Sequence, residues 1–221
     1  MGYDYRMSTE LSSVADLRDV YRQPNRAPLE KVIHQLDDHC VNFLAQSPFF
    51  VLSTSDGNGV CDGSPKGGAP GFVEALDPNH VAWADFSGNN RLDSFQNIVD
   101  NPSVALLFMI PGLDETLRIN GRARLTTDEA LTNQFKIGDR DAKVVVVVEV
   151  AEAYIHCAKA LRRSELWDTN SWASPDELPS APQILKDHVG LDAPTDVIAA
   201  ASQADLEATL WQPGGQRPNP Q

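Results

Sequence analysis

The run from Lys143 to His156 constrains the fold most, because five consecutive valines (Val144 to Val148) sit inside one otherwise mostly apolar stretch. β-Branched side chains are stiff and crowd a helix, but they pack well on a pleated surface. The run is therefore read as one long strand, and a long strand needs partners. Thr116-Leu-Arg-Ile-Asn-Gly-Arg-Ala-Arg-Leu125 alternates polar and apolar over ten residues and is the best candidate. Leu117, Ile119, Ala123 and Leu125 point inward in this reading. Thr116, Arg118, Arg122 and Arg124 share the other face, which is either a solvated or interface surface or a functional one. Gly121 marks a bulge or a close backbone approach.

Further strands are short and joined by tight turns. Phe49 to Ser55 leads through Asp56-Gly-Asn-Gly59, a hairpin turn of favoured composition, to a returning strand at Val60 to Ser64. Phe72 to Leu76 and the Asp77-Pro-Asn79 turn precede a strand that opens at His80. Ser103 to Ile110 is apolar on both faces, which predicts burial on both, and Pro111-Gly112 ends it. Such strand density with hairpin turns argues against a doubly wound parallel sheet. The predicted class is α+β, a closed antiparallel barrel of five or six strands with flanking helices.

Helical periodicity appears at Glu10 to Tyr21, and from Pro28 to about Gln46 with Leu29, Val32, Ile33, Leu36, Phe43 and Leu44 as its stripe. Thr126-x-x-Glu129 reads as a capping box for a helix to about Lys136. Cys157 to Trp167 is a basic helical segment, and Ala193 to Trp211 is a further helix. The expected organisation is a helical extension at 1–27, a barrel domain at 28–167, a helical segment packing on it at 168–211, and a Pro- and Gly-rich disordered tail at 212–221. Met7 is a second possible start, after a loose Met1 to Arg6.

Composition excludes several roles. Lys plus Arg number 18 against 31 Asp plus Glu, a formal net charge of −13, which opposes non-specific binding to nucleic acid or anionic membranes. The three cysteines form no C-x-x-C pair, and His34 and His39 fall on different helix faces, so no metal site is expected. Met1 to Glu10 lacks the apolar core of a signal peptide, and the apolar runs are too short to span a bilayer. A cytoplasmic protein is expected.

Cationic groups in so acidic a chain stand out. His80 to Pro102 reads as a strand, a polar turn and a helix carrying Leu92, Phe95, Ile98 and Val99 at helical spacing. A helix N-terminus leaves N–H groups unpaired and carries partial positive charge, which favours an anion. Gly88 permits close backbone approach, Asn89 and Asn90 offer amide donors or a cap, and Arg91 can fork onto two oxygens. By itself the turn reads equally as a capped surface helix. Ser64-Pro65-Lys66, the Thr116/Arg118 strand and Lys159 to Arg163 are the other cationic places.

Ser64-Pro-Lys-Gly-Gly-Ala-Pro-Gly-Phe72, Gly88-Asn-Asn-Arg-Leu-Asp-Ser94, Glu115-Thr-Leu-Arg-Ile-Asn-Gly-Arg-Ala123 and His156-Cys-Ala-Lys-Ala-Leu-Arg-Arg-Ser-Glu-Leu-Trp167 together resemble a bacterial branch of the pyridoxamine 5′-phosphate oxidase-like family. The likeness covers roughly residues 10–190. It implies a six-stranded FMN-binding split β-barrel that forms a homodimer, with FMN in clefts between subunits. Carried over, Ser64, Lys66, Asn89, Asn90 and Arg91 bind the FMN phosphate and ribityl chain from one subunit. Thr116, Arg118, Lys159, Arg163, Ser164 and Trp167 approach the flavin or substrate from the other. Relatives carry an Arg where Cys61 stands, and a pair of adjacent cations where Gly88-Asn-Asn-Arg91 stands. The resemblance implies an oxidoreductase acting on a small molecule, with no catalytic residue assigned. A non-catalytic flavin or haem module and a deazaflavin-dependent reductase are the alternatives. His156 is either an interface hydrogen-bonding residue or catalytic, while Cys61 and Cys157 read as small buried hydrophobes.

Overall fold

A computed structural model describes residues 10–86, 88 and 90–210. Asn89, residues 1–9 with both possible starts, and the expected tail at 212–221 lie outside the described residues. The elements run α1 (Val14–Val20), α2 (Arg26–Glu30), α3 (Asp38–Gln46), β1 (Phe49–Ser55), β2 (Cys61–Gly67), β3 (Glu74–Asp77), β4 (His80–Asp85), α4 (Asp93–Asp100), β5 (Ser103–Met109), β6 (Thr116–Thr126), α5 (Glu129–Gln134), β7 (Val144–His156), α6 (Lys159–Ser164), α7 (Ala181–Val189) and α8 (Thr195–Thr209). The chain divides into two compact units, Met1–Val32 and Ile33–Gln221. In the first, Ser13 and Asp16 form a reciprocal capping box on α1.

The second unit is built on one antiparallel sheet of seven strands, in the order β2-β1-β5-β6-β7-β4-β3. Sequence reading expected six at most. The seventh is the four-residue β3, held to β4 by a turn in which the Asn79 N–H donates to Asp77 Oδ1 at 2.7 Å. No ladder joins β2 to β3 among the described residues, which departs from the closed barrel read from hairpin spacing and agrees with the split barrel that the resemblance implies. The sheet is nevertheless strongly curled. Phe50 on β1 and Trp83 on β4 are four strand steps apart, about 19 Å on a flat sheet, yet their ring centroids are 5.1 Å apart.

The valine run explains its own composition. Val146 and Val148 face the main core with Phe50, Leu52, Leu106, Phe108, Leu117 and Ile119, while Val145 and Val147 face a second cluster with Ala82, Phe86 and Phe135. Leu131 of α5 packs on that second cluster, so β7 is buried on both faces. Burial on both faces was expected of β5, which instead buries one face and leaves Ala105, Leu107 and Met109 half-buried. Gly121 behaves as expected. Ala151 is the extra residue of a bulge in β7, and a Cβ at Gly121 would run into the Glu149 carbonyl oxygen.

The single helix expected from Pro28 to Gln46 is two pieces. Ile33 bridges Ala153 through both backbone groups, which interrupts the helix, and Asp37 restarts it by accepting the Cys40 N–H at 2.9 Å. Leu29, expected in the buried stripe, is exposed, as are Cys61 and Cys157, also expected to be buried. Asp128, not the Thr126-x-x-Glu129 box, caps α5. α7 falls within the segment expected to be helical at 168–211, and Ser180 and Gly190 cap its two ends. Among the described residues no helix is long and apolar enough to cross a membrane.

Candidate cofactor cleft

The curl of the sheet brings β2 and the end of β4 to opposite sides of one cleft, although five strand steps separate them. Its cavity measures about 490 Å³, within the ~300–1,000 Å³ of small-molecule sites. Ser64 and Lys66 line it from β2, Asp85 and Phe86 from β4, and Asn90, Arg91 and Asp93 from the turn into α4. Lys143 and Val144 complete it from the start of β7.

Lys66 is half-buried, and its Nζ donates to Ser64 Oγ at 2.6 Å. Burial lowers its pKa, and the field of Asp85 opposes that fall. Asp85 shows the reverse pattern: burial raises its carboxyl pKa, and Lys66 and Lys143 hold it down. Arg91 is exposed and pairs with Asp93 at 2.9 Å. Asp62, at the cleft edge, accepts from Asn97 Nδ2 at 2.7 Å, and the same amide donates to Thr54 Oγ1 at 3.0 Å.

The turn into α4 is strained. Asn90 and Leu92 have φ values of 58° and 61°, left-handed conformations that cost side-chain-bearing residues about 1–2 kcal/mol each. Leu92 occupies the N-cap position and makes no side-chain cap, in contrast to the Asn cap considered from sequence. Leu92 and Val99, expected on the buried stripe, are exposed, because Ser94, Asn97 and Ile98 take the buried face. A Cβ at Gly88 would meet open space, so nothing in this conformation crowds that position.

Of the expected site residues, Ser64, Lys66, Asn90 and Arg91 line the cleft. The other six described ones do not. Thr116 pairs in register with His156, and Arg118 Nη1 donates to the Tyr154 hydroxyl at 2.7 Å with its guanidinium 5.4 Å from the ring centroid. Lys159, Arg163 and Ser164 lie on α6, which is tied to the segment before β6 by Arg162–Asp114 at 2.8 Å. Trp167 Nε1 donates to the Leu113 carbonyl at 2.9 Å. These six thus form a second group around the start of β6.

Asp85 and Lys143 were not among the residues singled out from sequence. Each is a charge at the end of an apolar strand, which is the only local signal. Their meeting depends on the β4–β7 ladder, in which the Lys143 N–H donates to the Asp85 carbonyl at 2.9 Å.

A family model, pyridoxamine 5′-phosphate oxidase, matches residues 36–157, from before α3 through the end of β7. No curated protein matches the chain. Similar solved structures include HupZ of Group A Streptococcus, at 17% identity and a TM-score of 0.44 over 54% of this chain and 93% of that one. A putative pyridoxamine 5′-phosphate oxidase from Lactobacillus delbrueckii is similar at 20% identity and a TM-score of 0.43, over 55% of this chain and 99% of the other. An FMN-binding protein from Syntrophomonas wolfei is similar at 12% identity and a TM-score of 0.40, over 53% and 81%.

Proposed function

This chain belongs to the pyridoxamine 5′-phosphate oxidase family, and from that premise we propose that it is an FMN-binding oxidoreductase acting on a small molecule. The observation that carries this reading is the convergence of Lys66, Arg91 and Lys143, with Ser64 and Asn90, on one cleft in a chain of net charge −13. A phosphate monoester carries nearly two negative charges and needs about two cations with several further donors. The donor set of the cleft fits that group: Lys66 and Arg91 supply charge, and Ser64 and Asn90 supply neutral hydrogen-bonding groups. Bound flavin supplies electron or hydride transfer. The chain supplies anchoring, orientation and partial exclusion of water.

The working unit in this reading is a homodimer in the cytoplasm. Thr116, Arg118, Lys159, Arg163, Ser164 and Trp167 line no part of their own chain's cleft, which supports their serving the cleft of a second copy.

Comparison of FMN with riboflavin, which lacks the phosphate, tests the anchoring. FMN is expected to bind about a hundredfold more tightly, the scale of two charge-assisted contacts. Equal affinities would remove the phosphate from the cleft. Reduction of the bound flavin by NAD(P)H and reoxidation by an acceptor would separate an enzyme from a storage module.

A further inference from the structure

Six ionisable side chains line the cleft: Lys66, Arg91 and Lys143 against Asp62, Asp85 and Asp93. Their formal charges cancel, so the cations that would take a dianion are balanced by carboxylates beforehand. Two of the carboxylates are engaged elsewhere, since Asp93 holds Arg91 and Asp62 accepts from Asn97. Asp85 lines the same cavity as Lys66, and its backbone carbonyl accepts the N–H of Lys143, which lines the cavity beside it. Asp85 is half-buried, so its charge is not simply dissolved in solvent.

We propose that Asp85 is the internal counter-ion of the cleft: it neutralises Lys66 and Lys143 until an anionic ligand takes them over, and ligand entry is accompanied by proton uptake at Asp85. The proposal rests on the reading of the cleft as a phosphate site and adds what governs its affinity. An anion on Lys66 brings negative charge close to Asp85 and uses up the cation field that holds its carboxyl ionised. Both changes favour the protonated acid, in the direction that burial already pushes it. By linkage, anion affinity falls as pH rises from the Asp85 pKa in the free cleft to its higher value in the complex. No histidine lines the cleft, and the other five charged groups facing Asp85 are those already named.

Sulfate is a suitable probe, because it stays a dianion across the working pH range and adds no titration of its own. Calorimetric titration of the full chain with sulfate and with FMN, in two buffers of different protonation enthalpy, counts protons taken up. Wild type is expected to lose about tenfold in sulfate affinity as pH rises through the Asp85 titration, with net proton uptake over that same range. Asp85→Asn is expected to bind sulfate about tenfold more tightly above that range, with the uptake lost. Binding without proton uptake in the wild type, or equal or weaker binding by the variant, overturns the proposal. The wild-type proton count decides the matter even if the variant folds poorly. Sulfate binding with uptake but no FMN binding would retire the cofactor reading alone. FMN binding together with sulfate binding that shows no uptake would retire this proposal alone, and failure to bind either anion would retire both.

Discussion

At the scale of single residues, burial ranks the two cleft cations best placed to anchor a phosphate. Lys66 is half-buried and already partly stripped of water, whereas the Arg91 side chain is 75% exposed and shared with Asp93. A charge-assisted contact made in a drier place is worth more. Lys66→Met is therefore expected to weaken FMN binding by about 2–3 kcal/mol and Arg91→Ala by about 1.5 kcal/mol, the lower end for a charged hydrogen bond. Fluorescence titration of the two variants reads the order directly. Arg91 and Lys66 were both legible in the sequence, because each sits in a Gly-, Ser- or Asn-rich turn or strand end. Asp85 was not, because its meaning comes from two lysines that neighbour it only in the folded sheet.

At the scale of elements, local chemistry places strands well and helix boundaries poorly. Alternation located β6, and the need for a residue without Cβ at Gly121, opposite the bulge in β7, is written in the residue itself. Gly121→Ala is expected to destabilise the protein by about 2–3 kcal/mol through the clash with the Glu149 carbonyl, read as a lower urea midpoint. The break before α3 was hidden. Helical periodicity runs on through Ile33, but the bridge to Ala153 overrides it, and that partner lies far along the chain. Asp37 then becomes the cap that restarts the helix, and its hydrogen bond from Cys40 holds its carboxyl pKa below the ordinary 3.8. A depressed folded-state pKa means stability that is present above the unfolded value and lost as pH falls through the folded one. Asp37→Ala is expected to cost about 1 kcal/mol at neutral pH. Thermal unfolding should show that gap closing below about pH 4.

At the scale of the whole molecule, the α+β class with an antiparallel sheet followed from hairpin spacing and the two long strands. The cleft did not follow, because β2 and β4 meet only when the sheet curls around the Phe50, Trp83 and Phe108 cluster. Curl is a collective property of twist and core packing, and no short stretch of sequence carries it. The same curl gathers three cations and three carboxylates in one place, on which the proposed FMN site rests. The most direct test of that account is titration of FMN into the purified chain, followed by the flavin absorption spectrum, with Lys66→Met alongside. The account predicts a perturbed, saturable spectrum at one FMN per chain that the variant requires far more FMN to reach. An unperturbed flavin spectrum at every concentration, or identical curves for the two proteins, would contradict it.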